Sequence, residues 1–307
     1  MGLHVIVGAG PIGSTTARLL SERGEQVRVI TRRGTAVPGA ESAAADATDA
    51  AALRQLTKGA DALYNCANPP YHRWPTDWPP IHEAMLAAAE DSGAVLVITS
   101  NLYGYGPVTG SMTEHTPQRP NTVKGRVRAE MWRSALAAHE AGRIRATEVR
   151  ASDYVGLGAN SLLTDMVLTR VVAGKAALVP ANVDLPHSFT YTGDVARTLV
   201  AAGTDERAWG RPWHAPTPPA VTIRQAATIA ATLAGHGTPT VRRMPGAMLW
   251  LGGLFSPAAR GFREMRYQFE APFVVDSTET ERTFDLRPTP LDTMIQETVD
   301  ALVAKSR

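Results

Sequence analysis

The stretch that most narrows what this chain can fold into is its first thirty-odd residues, 3–33. Leu3-His4-Val5-Ile6-Val7 is a short apolar run rich in β-branched side chains, the pattern of a parallel strand buried on both faces. Gly8-Ala9-Gly10-Pro11-Ile12-Gly13 follows directly, with G-x-G-x-x-G spacing. Residues 14–23 then read as a helix, with Ala17, Leu19 and Leu20 on its apolar side and Gly24 as its stop. Residues 27–30 read as a second strand, so the whole is a β-α-β unit.

Each glycine has a physical task in such a unit. Gly8 allows the tight turn, Gly10 lets backbone approach a pyrophosphate, and Gly13 permits close packing of helix on strand. Pro11 and Ile12 open the helix, where free amides and the positive end of the dipole hold phosphates. A dinucleotide is therefore the expected cofactor. An NAD enzyme is expected to carry Asp or Glu about twenty residues after the glycines, on the ribose 2′-hydroxyl. Here the second strand ends in Thr31-Arg32-Arg33, with no acid. These three can hydrogen-bond and neutralise a 2′-phosphate, which favours NADP(H) over NAD(H).

A chain of 307 residues can bury a large core, as one α/β domain or one domain plus a smaller lobe. A formal net charge of +2 is too balanced to argue for nucleic acid or an anionic membrane as partner. The single cysteine, Cys66, excludes an internal disulfide, and metal-ligand spacing is absent. Met1-Gly2 leads straight into the first strand, leaving no room for a signal peptide. The apolar patch over 246–255 is too short to span a bilayer. A cytoplasmic location is the expectation; a homodimer is allowed but nothing in the sequence requires it.

Asp46 stands where a third strand would end. Its carboxylate either accepts from an adenine amino group or belongs to a solvated turn. Thr48 or Asp49 can cap a helix running to Lys58-Gly59. Residues 60–68 read as the fourth strand and its exit, where Ala67 and Asn68 let the cofactor approach the backbone. Residues 69–80, rich in Pro and aromatic side chains, read as a loop above the sheet in contact with substrate or with a second lobe. A helix over 81–92, a strand over 94–101, a loop to Pro120, a basic helix with Lys124, Arg126 and Arg128, and a strand over 146–150 follow.

With these elements in place the chain resembles the extended short-chain dehydrogenase/reductases, in the division of NAD(P)-dependent epimerases and dehydratases. The resemblance rests on the opening glycines, Asp46, the exit from Ser100 to Gly106, Glu114-His115-Thr116-Pro117, Arg150-Ala151-Ser152-Asp153-Tyr154-Val155-Gly156, and residues 186–196. It implies a Rossmann-type doubly wound parallel sheet with a smaller C-terminal α/β substrate lobe. Residues 1–150, rejoined by 185–202, would bind NADP, and 151–307 would mainly bind substrate.

Members of the family with hydride chemistry use a Ser or Thr after the fifth strand and a Tyr-x-x-x-Lys on the next helix. Aligning Tyr105-Gly106 places Asn101 at the Ser/Thr position, beside Ser100. Counting back from Glu130 places Thr122 at the Tyr position and Arg126 at the Lys position. A Thr hydroxyl is a far poorer proton donor than a phenol, so the usual relay is missing. The replacements by position are Tyr103 and Tyr105 at the strand exit and Lys124 on the helix, which can reach the nicotinamide ribose or act as an acid. Arg128 and Arg133 read as a solvated helix face, and His187 as a polar surface residue. Further on, Asp194 is expected to cap a helix over 195–202, residues 209–216 read as a strand of the second lobe, Thr222 is expected to cap a helix over 223–235, and residues 246–269 read as helical. The expected function is an NADP(H)-dependent oxidoreductase acting on a small organic substrate of secondary-metabolite type. The alternatives are a sugar-nucleotide epimerase or dehydratase, or a non-catalytic NADP-binding sensor.

Overall fold

The computed structural model describes residues 1–245, 248 and 263–306. Its first half alternates strand and helix: β1 (Leu3–Val7), α1 (Pro11–Glu22), β2 (Gln26–Thr31), β3 (Glu41–Ala44), α2 (Ala50–Leu56), β4 (Ala60–Asn65), α3 (Trp74–Ser92) and β5 (Val95–Asn101). A two-residue β6 (Ser111–Met112) precedes α4 (Val123–Glu140) and β7 (Arg145–Ala151). Then come β8 (Asp153–Val155), a π-helical stretch over Leu163–Leu168 that runs into α5 (Thr169–Val172), β9 (Ala177–Val179), β10 (Phe189–Tyr191), α6 (Thr192–Thr204) and β11 (Pro212–His214). The chain continues through α7 (Ile223–Leu233), β12 (Val241–Arg243), β13 (Val274–Val275), α8 (Thr278–Phe284) and α9 (Leu291–Ser306).

The main sheet has seven strands in the order β11-β7-β5-β4-β1-β2-β3, and every pairing in it is parallel. Side chains alternate across it with the period of a strand. Val5, Val7, Leu63, Leu96 and Ile98 face α2, α3 and α4, where Leu53, Trp78, Met85 and Trp132 pack on them. Ile6, Val29, Tyr64, Val95 and Val97 face α1 and α6, against Leu20, Val195 and Leu199. Helices thus cover both faces, as an all-parallel sheet requires. A separate cluster of Leu163, Val167, Val179, Ala227, Ile295 and Val299 holds the smaller lobe, with short pairings of β10 on β8 and of β12 on β9. No described helix is long and apolar enough to cross a membrane.

Four expectations change. The Pro-rich stretch is not a loop throughout: α3 begins at Trp74, because Pro75 sits in the first turn and buried Trp74 and Trp78 anchor the next. The strand near Trp209 shortens to β11 and joins the main sheet beside β7 rather than the second lobe. Asp194 lies inside α6 and does not cap it; fully buried, it accepts from Thr289 N at 2.7 Å and Thr289 Oγ1 at 2.8 Å, and pairs with Arg197. His187 is buried, stacked on Phe269 at 4.8 Å and bonded to Asp153 at 2.6 Å. Thr222 caps α7 in a capping box with Gln225, as read. Of the helix read over 246–269, residues 246–247 and 249–262 lie outside the described residues, and Arg266–Phe269 is a 3₁₀ turn.

Asp194 ties the segment before α9 to a helix of the main sheet. Asp194→Ala leaves the half-buried Thr289 amide without this acceptor and should lower the unfolding free energy by about 1–3 kcal/mol. Urea denaturation at unchanged m value would show this as a lower midpoint.

Candidate functional site

A cleft of ≈ 1030 Å³, counted out to its mouth, opens at the carboxyl ends of the strands around β1 and β4. In open α/β sheets this is where the strand order reverses and where ligands sit. Gly10, Pro11, Ile12 and Gly13 form one side, with Cys66, Ala67 and Asn68 from the β4 exit beside them. Tyr71, Trp74, Asn101, Tyr103 and Arg128 form the opposite wall, and Ser152, Asp153, Tyr154, Gln268 and Phe273 close the end toward the smaller lobe.

The glycine turn is shaped by contact. Gly8 has φ +109°, and a Cβ on Gly13 would collide with the Gly8 carbonyl oxygen. A Cβ on Gly10, by contrast, would meet no protein atom within 4 Å: it would project into the cleft. Ile12 and Gly13 stand in the first turn of α1, where amides have no intrahelical acceptor. Space and donors together fit a dinucleotide phosphate group. Thr31 Oγ1 accepts from Thr35 N at 2.7 Å, and Arg32 and Arg33 are exposed beside it with no ion pair among the described residues. Asp46 is exposed; Thr48 N and Oγ1 donate to its Oδ1 at 2.9 and 2.8 Å, and with the nearby Arg32 they hold its carboxyl below the usual range.

The candidates at the β5 exit separate into two groups. Asn101 and Tyr103 line the cleft, and Asn101 Oδ1 accepts from Tyr103 N at 3.1 Å, which leaves its amide N–H₂ to offer. Tyr71 Oη donates to Tyr103 Oη at 3.4 Å, and Tyr154 Oη donates to the Ser100 carbonyl at 3.0 Å. Burial pushes Tyr71 and Tyr103 upward, and Tyr154 up to about 12, so these phenols stay protonated. Ser100 and Tyr105 are buried outside the cleft lining. Tyr105 belongs instead to a relay with one self-consistent direction. Arg150 Nη1 donates to Tyr105 Oη at 2.8 Å, Tyr105 Oη donates to His214 Nε2 at 2.7 Å, and His214 Nδ1 donates to the Asp276 carbonyl at 2.8 Å.

Helix α4 places Thr122 and Arg126, the two positions counted from Glu130, outside the cleft lining. Thr122 is its N-cap, accepting from Gly125 N at 3.0 Å, and Arg126 is exposed on the outer side. The inward positions are Lys124 and Arg128. Lys124 is buried but outside the cleft lining: its backbone N and its Nζ donate to Glu264 at 2.9 and 2.6 Å, and its ammonium lies 4.5 Å from the Tyr71 ring centre. Arg128 is not on a solvated face. It is 6% exposed, lies over the Trp74 and Trp78 rings at 4.6 and 4.2 Å, and donates to the Thr99 carbonyl at 3.2 Å. Burial draws its pKa down, but a guanidinium stays charged. The signal is present in the sequence: the apolar stripe Ala138, Ala135, Trp132 and Met131 extends back along one face to Arg128 and Lys124. Arg133 is exposed, as read.

Fold and cleft together define a Rossmann-type α/β protein. The model of the NAD dependent epimerase/dehydratase family matches residues 4–212, and the chain belongs to that family. Among solved structures it is similar to the UDP-glucose 4-epimerase of Thermotoga maritima bound to UDP-glucose, at 15% identity and TM-score 0.80, covering 99% of this chain and 100% of that one. The dTDP-glucose 4,6-dehydratase of Bacillus anthracis in complex with NAD matches at 16% identity and TM-score 0.80, over 99% and 97% of the two chains. A tyrosine-to-phenylalanine mutant of the UDP-glucuronic acid 4-epimerase of Bacillus cereus, in complex with NAD and a fluorinated UDP-glucuronic acid, matches at 15% identity and TM-score 0.78, over 99% of each chain. At such identities the likeness is one of fold. No curated protein matches the sequence significantly.

The relay fixes a pH dependence. His214 is fully buried and neutral, its pKa pushed by burial down to about 3 from 6.5. Between these values the unfolded chain binds the extra proton, so stability rises with pH across the window and is lost as pH falls through it. The expected loss is up to about 1.4 kcal/mol per pH unit for this group. His214→Asn, whose amide takes up no proton, should lose less stability than the wild type between about pH 6.5 and 4 in denaturant titrations.

Proposed function

We propose that the protein is an NADP(H)-dependent oxidoreductase that reduces or oxidises a small, largely apolar organic substrate. The observation that carries this reading is one cleft holding both the open glycine turn and the protonated phenols of Tyr71 and Tyr103. In this reading residues 1–150 with 185–202 bind the cofactor and the region after 151 mainly receives substrate. The Ile12 and Gly13 amides hold the pyrophosphate, and Arg32 and Arg33 the 2′-phosphate. When bound, NADPH supplies a hydride to a substrate carbon.

The chain's own groups manage the substrate oxygen. Helix α4 contains no tyrosine, so the proton must come from elsewhere. Asn101 points its remaining N–H₂ at that oxygen and orients it. Tyr103 delivers the proton as the oxygen becomes an alkoxide, while the Tyr71 hydroxyl, which donates to Tyr103 Oη, steadies the phenolate left behind. Aromatic walls at Tyr71, Trp74, Tyr103, Tyr154 and Phe273 suit an apolar body.

Calorimetry at one salt concentration should find NADPH bound roughly ten- to over a hundred-fold more tightly than NADH, the worth of a charge-assisted phosphate contact. Arg32→Ala should narrow that gap, and equal affinities would remove the cofactor assignment. With a carbonyl panel and NADPH, Tyr103→Phe should cut kcat by about 10²–10⁴-fold, while Tyr105→Phe keeps turnover and loses stability. The solved relatives that hold sugar nucleotides favour a second reading, an epimerase or dehydratase. Its mark would be a tightly kept cofactor that cycles without net oxidation.

A further inference from the structure

Among the described residues no carboxylate pairs with the charge of Arg128. Glu148, buried nearby, is engaged by Arg150 Nε at 2.6 Å; Glu264 is engaged by Lys124 Nζ at 2.6 Å; Asp153 is engaged by His187 at 2.6 Å. Each carboxylate around the cleft thus has its own partner, and Arg128 makes no ion pair among the described residues. Its Nε is buried with no acceptor, and so is the Oγ of Ser152, which lines the same cleft. Leaving a charged donor buried and unpaired is costly, and proteins ordinarily pair such a group. The two indoles and the Thr99 carbonyl hold the guanidinium in one place, so it is preorganised rather than free to swing out.

We infer that the substrate is a small organic acid whose carboxylate is received by Arg128 and whose apolar body lies against the aromatic wall of the cleft. This deepens the proposed function and rests on it for the meaning of "substrate". Arg128 is the only Lys or Arg in the cleft lining among the described residues, which suits a monoanion better than a phosphate. A planar fork matches a carboxylate with two parallel hydrogen bonds, and a lysine does not reproduce that geometry.

The test uses benzoate and its neutral, equally shaped counterpart benzamide, titrated into NADPH-saturated protein and read by tryptophan emission, since Trp74 and Trp78 flank the guanidinium. Benzoate should bind about 10-fold or more tightly than benzamide, the size expected of a charge-assisted contact. Arg128→Gln should erase that preference while NADPH affinity, measured in the same protein, stays within about 2-fold of wild type, and Arg128→Lys should restore only part of it. Equal binding of the two compounds to the wild type, no saturable benzoate binding, or a preference that survives Arg128→Gln overturns the inference. So does an Arg128→Gln variant that loses NADPH affinity, because the guanidinium would then serve the cofactor. The wild-type comparison stands even if that variant fails to fold. Failure of the wild type to bind NADPH counts against the proposed function, and the benzoate–benzamide comparison without cofactor then reads the carboxylate site alone.

Discussion

The closeness of the β1–α1 turn to the end of β4 is the constraint on which the rest depends. A Cβ at Gly8 would stand 2.5 Å from the Cys66 carbonyl oxygen, and a Cβ at Gly13 would strike Gly8 itself. With both absent, α1 starts hard against the sheet, its first amides aimed along the strand ends. That contact puts the cleft over β1 and β4 and leaves the open space at Gly10. Every other wall is then positioned by what packs on the same sheet: α3 and α4 from one face, and the segment after β7 from the strand end.

How much of this is legible in the sequence follows from the range of the interactions. The opening β-α-β unit is readable because each element carries its own period and its own stop, and β1 coincides with the apolar run that announces it. Asn101 and Tyr103 can be found because they follow that same kind of strand without interruption. In α4 the count back from Glu130 lands on Thr122 and Arg126, neither of which lines the cleft. Counting from Glu130 ignores the helix face, whereas burial runs through Lys124, Arg128 and Trp132. His187 and Asp194 escape a reading of the sequence because their partners, Asp153 and Thr289, lie far along the chain. A titratable residue in a polar-looking sequence reads as solvated until the fold supplies the group that buries it.

The cleft is also a place where the two halves of the chain meet through charge. Glu264 holds both the amide and the ammonium of Lys124, so the start of α4 is stitched to a residue far beyond the central sheet. Asp153, at the first step out of β7, is held by His187 just ahead of β10. These contacts place Tyr71 and Tyr154 from different elements around one space, without any of them being neighbours in sequence.

The prolines of α3 have a further consequence for how the aromatic wall comes into being. Pro79 and Pro80 lie inside the helix and have no N–H, so the carbonyls of Pro75 and Thr76 have no intrahelical donor. The first two turns of α3 therefore carry little helical preference of their own. They take shape because Trp74 and Trp78 dock against the sheet and beneath Arg128. Residues that precede a proline, such as Trp74 and Trp78, favour extended backbone when nothing else holds them. The cleft's aromatic side is thus a product of tertiary docking alone, and it appears and disappears together with the helix that bears it.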